Sequence, residues 1–269
     1  MSTEPAPPAD AATSPLAELA ADANERRLPG EKPPGSPVMY QRWAYLLFLH
    51  WPVPVSMLRP LLPSRLTVDT FGGQAYVGLV MFTMTGVRPI FLPAVPCLSN
   101  FHETNVRTYV HNGGKDPGVW FFSLDAANAV AVKLAQWLFK LPYFFADMQL
   151  SAGRNTRAPG LVDYATERKW PAPTPASAKA RYEVTGPAAP ATPGTLEHFL
   201  VERYILYTEA DSGLKRGRVH HSPYPVQPAR LHSVDESLIA ASKITRPSTA
   251  PLVHYASEVQ VDIYGLEDV

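Results

Sequence analysis

From Tyr40 onward, apolar and polar residues alternate at the two-residue period of strands with one buried face. The runs 66–71 and 74–84 flank Gly72-Gly73, the chemistry of a two-residue hairpin turn. The runs 101–110 and 119–124 flank HNGGKDPG, which predicts a longer glycine-rich hairpin loop. Further strands are expected at 145–151, 162–168, 180–185, 199–208, 216–221 and 258–264. Three stretches read as helices instead. The clearest covers 126–139, capped by Asp125, with Val130, Leu134, Trp137 and Leu138 on one face and Pro142 closing it. A short helix at 55–62 is interrupted by Pro60, and another at 235–242 carries Ser233 and Glu236 as a capping box. So many strands close on themselves or split into two layers. The expected fold is mainly β (α+β): a single large antiparallel β-barrel or sandwich with a few packed helices.

Residues 1–37 break this pattern. They hold eight prolines and eight alanines and no aromatic residue, so they lack apolar surface to offset the entropy of ordering. They are expected to form a disordered tail, with a short helix at 15–27 as the alternative. Residues 38–269 then form one domain, and the Pro/Ala-rich stretches 171–178 and 187–194 are loops within it.

Composition narrows the function. The 24 basic and 24 acidic side chains cancel, leaving no electrostatic footprint for nucleic acid or an anionic membrane. The single cysteine, Cys97, permits no internal disulfide and no multi-thiolate metal site. The 29 prolines are about twice the usual proportion and argue against a mostly helical chain. The N-terminus lacks the basic and apolar regions of a secretory signal. The most apolar stretch, 44–55, contains His50 and two prolines and is too short to span a bilayer. A soluble, cytoplasmic protein is expected. Phosphate-cradling, dinucleotide-binding, serine-hydrolase and zinc-protease motifs are absent, so neither cofactor nor metal is expected.

Three constellations carry candidate chemistry. On the strand FHETNVRTYV, Phe101, Glu103, Asn105, Arg107 and Tyr109 share a face. That face lies either in water or inside a barrel, where Glu103 would pair with Arg107 or Arg203 and present fixed donors to a polar ligand. In LEHFLVERYILYT, read as a strand, Arg203 falls in an apolar row with Phe199, Val201, Ile205 and Tyr207. It needs a carboxylate partner there, or else contacts a ligand's acidic group. His198 and Glu202 have helical ligand spacing but would lie far apart on a strand. In RVHHSPYPVQ, His220 and His221 point to opposite faces, and each is an acid–base candidate.

The blocks HWPVP, DTFGGQAYVGLVMF, FHETNVRTYV, VWFFSLDA, LPYFFADM, VERYILYT and GRVHHSPYPVQ stand in an order that resembles the YqjF-like family (domain of unknown function 2071) over residues 38–266. That family is similar in fold to the acetoacetate decarboxylase-like superfamily, which implies a β-barrel with a central cavity. Acetoacetate decarboxylases use a lysine that forms a Schiff base, with a second lysine depressing its pKa, both following a proline shortly after a helix; lacking them, this chain is expected to act without a Schiff-base lysine. The equivalent segment here resembles Leu141-Pro142-Tyr143-Phe144-Phe145, with aromatic residues at those positions and Lys133 and Lys140 on or beside the helix. The expectation is an enzyme acting without metal or nucleotide on a small carbonyl- or carboxylate-bearing metabolite, of lyase, dehydratase, cyclase or isomerase type. Glu103, Arg107, Tyr143 and His221 would be catalytic, and Phe101, Asn105, Tyr109 and Arg203 would bind ligand. The alternatives are a non-catalytic small-molecule-binding protein and an assembly role for the tail. A small molecule is the expected partner, with homo-oligomers left open and neither nucleic acid nor membrane involved.

Overall fold

In the computed structural model, which describes residues 30–171 and 175–269, twelve strands join in a single sheet. The strands are β1 (Met39–Val53), β2 (Thr67–Val68), β3 (Ala75–Pro89), β4 (Phe101–Asn112), β5 (Lys115–Ala126) and β6 (Tyr143–Ser151). They continue as β7 (Leu161–Trp170), β8 (Ser177–Val184), β9 (Ile205–Ala210), β10 (Gly213–His220), β11 (Val226–Glu236) and β12 (Leu252–Asp268). Five short helices connect them: α1 (Val55–Leu58), α2 (Pro96–Ser99), α3 (Ala129–Phe139), α4 (Leu196–Val201) and α5 (Leu238–Ala241).

The order β10-β9-β5-β6-β7-β8-β11-β12-β1-β3-β4-β2 closes through two further pairings, β4 with β5 and β10 with β12. The result is two closed circuits that share β12, β1, β3, β4 and β5. One returns through β6, β7, β8 and β11, the other through β9 and β10. Most pairings are antiparallel, as the sequence suggested, but β5 pairs parallel with both β6 and β9 at the fork where the circuits part. Gly118 makes that fork possible: a Cβ there would sit 2.6 Å from the Ile205 carbonyl oxygen of β9. Gly118→Ala is expected to cost about 1–3 kcal/mol, as overpacking does. An unchanged denaturant midpoint would mean that β9 tolerates displacement from β5.

The central parts of the shared strands β1, β3 and β4 have no solvent face, and their side chains sort alternately into two cores. On β1, Leu47, Leu49 and Trp51 enter one cluster and Leu46 and Phe48 the other. On β3, Val77, Leu79 and Met81 alternate with Val80 and Phe82, and on β4 Val106 and Val110 oppose Phe101 and Tyr109. The charged face of FHETNVRTYV is therefore internal because both faces are internal.

Several local expectations are corrected. Gly72 and Gly73, both at positive φ, do make a tight turn between Phe71 and Gln74, yet β2 pairs with β4 and not with β3. The 101–126 hairpin turns at Gly113-Gly114 alone, so its strands reach Asn112 and Lys115. Asn128, not Asp125, caps α3, accepting from the amides of Val130 and Ala131 at 3.0 Å. Asp125 is instead an ion-pair partner inside the body. The apolar stripe of α3 faces outward at Val130, Leu134 and Trp137. Residues 196–201 are helix, not strand, because Thr195 accepts from the His198 amide and starts a turn. The 235–242 helix shortens to α5 behind a long β11, with Glu236 accepting from the Ile239 amide at 3.0 Å.

Residues 1–29 of the expected tail lie outside the described residues. Its last part lies against the body: Lys32 pairs with Asp262 at 3.7 Å, and the Val38 amide donates to the Ile263 carbonyl. Among the described residues no helix is long and apolar enough to cross a membrane.

Candidate active site

All seven strands of the β9–β10 circuit contribute to a cavity of about 120 Å³. Its polar wall is β4, where two-residue alternation sends Glu103, Asn105 and Arg107 inward in a row. Tyr143 at the start of β6 and Arg203 just before β9 add to that wall. The remaining surface is chiefly hydrocarbon. Phe121 reaches it through a β-bulge: Val106 faces Ser123 while Arg107 faces Phe121, so Phe122 is an extra residue. Beyond it the alternation of β5 reverses phase, and Leu124 lines the cavity with Val119 and Phe121.

Glu103 forms no ion pair with Arg107 or Arg203 among the described residues, contrary to the expected pairing. Its Oε2 accepts from the Tyr143 hydroxyl at 2.9 Å, and the Asn105 side chain also bonds to it. Burial dominates these bonds and pushes the carboxyl up to about 8, so Glu103 is protonated at neutral pH. Burial and the Glu103 charge raise Tyr143 well above the ordinary phenol value, leaving it a hydrogen-bond donor.

The three arginines buried among the described residues differ in their partners. Arg168 is bidentate to Asp125 at 2.6 and 2.8 Å, and Arg203 pairs with Asp69 at 3.1 Å. Arg107 has no ion-paired carboxylate among the described residues. One terminal nitrogen donates to the Leu200 carbonyl at 3.2 Å, its Nε has no hydrogen-bond partner, and its guanidinium carbon lies 5.5 Å from the Phe48 ring centre. Arg107 is 8% exposed, too deep for water to replace that partner freely.

Three expected site residues lie off the cavity. His221 is packed between Tyr204 and Tyr224, at ring distances of 4.7 and 4.4 Å, with Nδ1 against the Ser222 carbonyl. Burial lowers it to about 4, so it is neutral and faces no ligand space. The Tyr109 hydroxyl is engaged with the Leu200 carbonyl and with His50, both at 2.6 Å, and supports the wall from behind. Phe101 packs in the same core without lining the cavity. Arg203 does line it, but its ion pair with Asp69 already meets the need for a carboxylate. Sequence reasoning missed Phe48, Phe121 and Tyr224. Phe48 alternates with core residues on β1, a signal that was present. Tyr224 sits on a proline-flanked loop, where no periodicity operates.

His198 and Glu202 come to adjacent turns because α4 is helical. Glu202, however, accepts from the Tyr204 hydroxyl and the Tyr224 amide, and no group of three or more His, Cys, Asp or Glu suited to a metal occurs among the described residues. Among the described residues no lysine lines the cavity: Lys140 pairs with Asp211 on the surface, and Lys133 lies over the Trp170 ring.

A family model described as an uncharacterized conserved protein (DUF2071) matches residues 40–260. The uncharacterized protein YqjF of Bacillus subtilis strain 168 is 39% identical over 234 residues, covering 87% of this chain and 93% of its own. Solved structures with a similar fold include an acetoacetate decarboxylase-like enzyme from Sphingomonas wittichii RW1, with a TM-score of 0.59 at 14% identity, covering 87% of this chain and 94% of that one. The acetoacetate decarboxylase of Legionella pneumophila gives 0.57 at 11%, covering 87% and 88%. The enduracididine biosynthesis enzyme MppR, complexed with a condensation product of pyruvate and imidazole 4-carboxaldehyde, gives 0.60 at 14%, covering 88% and 92%. Likenesses at this identity establish the fold alone.

Proposed function

Because the chain belongs to the DUF2071 (YqjF-like) family and has the acetoacetate decarboxylase-like fold, we propose that its cavity is an active site for proton-transfer chemistry on a small oxo acid. The observation that carries this reading is Arg107: a buried guanidinium, facing ligand space, with no carboxylate of its own among the described residues. A planar fork with a free donor suits a ligand carboxylate. A carboxylate bound there completes an ion pair that the folded protein leaves half-built.

Glu103 supplies the chemistry. Its protonated carboxyl gives its proton to the ligand's carbonyl oxygen, and the resulting carboxylate takes a proton from the carbon next to that carbonyl. The C–H bond breaks, its electron pair forms the C=C bond, and the carbonyl becomes an enol. Glu103 ends as it began, with no net proton gained or lost. The Tyr143 hydroxyl, already donating to Oε2, stabilises the transient carboxylate. Without a lysine in the lining, the carbonyl is activated by hydrogen bonding and not as an imine.

The test is loss of the C3 proton signals of pyruvate and 3-methyl-2-oxobutanoate by NMR in deuterium oxide. The protein is expected to accelerate exchange. Glu103→Gln should abolish the acceleration with binding kept, whereas Arg107→Met should weaken binding by at least tenfold, the loss of one charge-assisted hydrogen bond. Exchange that survives Glu103→Gln would remove Glu103 from the mechanism. Binding without exchange in the unaltered protein would favour a carrier over an enzyme.

A further inference from the structure

The arrangement of polar and apolar walls says more about the ligand than its charge. Resting on the reading above, we propose that the substrate is a short branched-chain aliphatic 2-oxo acid, and that the hydrocarbon walls select it over pyruvate. The main polar wall is one strand, β4, with Tyr143 beside it; elsewhere in the lining the Gln41 amide of β1 is bonded to Met39 and Trp43, Arg203 is paired with Asp69, and Tyr224 adds a phenol. Of the twenty-one lining residues, thirteen have purely hydrocarbon or thioether side chains; twelve come from the other strands of the circuit and the last, Leu141, from the connection before β6. A ligand matching this surface carries its carboxylate and carbonyl along one edge and an apolar group across the rest. Pyruvate, with a single methyl, would leave most of the apolar wall facing either empty space or trapped water.

Size sets the other limit. An apolar cavity of roughly 150 Å³ holds benzene, so at about 120 Å³ the ligand is held to a small molecule near benzene in size. Branching suits the shape better than length. Leu46 and Phe48 on β1, Val80 and Phe82 on β3, and Leu206 on β9 approach from different strands, so the apolar space is broad and not a narrow tunnel.

The experiment is a homologous series: pyruvate, 2-oxobutanoate, 3-methyl-2-oxobutanoate, 4-methyl-2-oxopentanoate and 2-oxooctanoate. Each is measured by calorimetry for affinity and by deuterium exchange at C3 for turnover. Every buried carbon should tighten binding about fourfold, corresponding to about 0.8 kcal/mol, until the cavity is full. The branched five-carbon acid, with two more carbons, is therefore expected to bind about fifteenfold tighter than pyruvate, and the linear eight-carbon acid to lose affinity again. The neutral ketone 3-methylbutan-2-one, which lacks the carboxylate, should bind far more weakly. In Val80→Phe, which shrinks the cavity, the preference should return toward pyruvate, with a thermal melt confirming the fold. Pyruvate binding and exchanging as well as the branched acids would overturn this inference and leave the proposed chemistry standing. The expected affinity order without exchange would overturn the chemistry and keep the ligand class. No binding anywhere in the series would overturn both.

Discussion

Asp125→Asn is expected to destabilise the fold by about 3–5 kcal/mol, the usual consequence of removing one partner from a buried ion pair. Asp125 and Arg168 are 0% and 4% exposed. Arg168 donates twice to Asp125, from Nε at 2.6 Å and from a terminal nitrogen at 2.8 Å, and stacks 3.7 Å from the Phe144 ring centre. With asparagine, one of those donors faces an amide nitrogen and the guanidinium keeps its full charge inside the body. The pair also ties β5 to β7 across β6, directly behind the start of the cavity's polar wall, where Thr104 faces Asp125 in register. Urea unfolding at neutral pH measures the loss. A double change, Asp125→Leu with Arg168→Met, should recover much of it, because two neutral groups need no desolvated partner. If Asp125→Asn unfolds at the unaltered midpoint, water reaches Arg168 and the pair contributes nothing net.

The interior strands were legible because alternation is a property of the backbone and does not depend on what lies opposite. Glu103, Asn105 and Arg107 share a face on any regular strand. Whether that face was wet or buried depended on closure of the sheet, which no local pattern encodes. Partner choice was the weaker inference. Placing Glu103 with Arg107 assumed that nearby opposite charges pair, whereas the structure gives Glu103 to Tyr143, forty residues along the chain, and leaves Arg107 to a carbonyl. Two local rules also competed. The run 199–208 alternates well enough for a strand, but Pro193, Gly194 and the Thr195 cap begin a helix that uses up its first three residues. On β5 the bulge at Phe122 reverses alternation midway, so a strand read by parity alone places Leu124 on the wrong side of Phe121.

Glu103→Gln is expected to change how stability depends on pH, most strongly between about pH 4.5 and 8. Burial pushes the Glu103 carboxyl from its usual 4.5 up to about 8 in the folded protein. Between those values the folded protein keeps a proton that the unfolded chain has released. Raising the pH through that window therefore favours unfolding, and Glu103's contribution is fullest below about 4.5 and lost as pH approaches 8. Glutamine keeps the same shape and an oxygen for the Tyr143 hydroxyl but does not titrate, so its variant escapes that loss. By pH 8 the variant should have gained on the unaltered protein by roughly 3–5 kcal/mol relative to their difference at pH 4.5. Urea unfolding of both proteins at half-unit steps of pH gives the difference directly, since titrations common to both cancel. Ligand binding should follow the same group in the same direction. Below pH 8 a neutral Glu103 faces the anion held by Arg107, and above it two negative charges share a small apolar cavity, so oxo-acid affinity should fall as Glu103 ionises. Parallel stability profiles for the two proteins would show that Glu103 titrates like an exposed carboxylate, and the acid proposed to start the chemistry would then be absent at neutral pH.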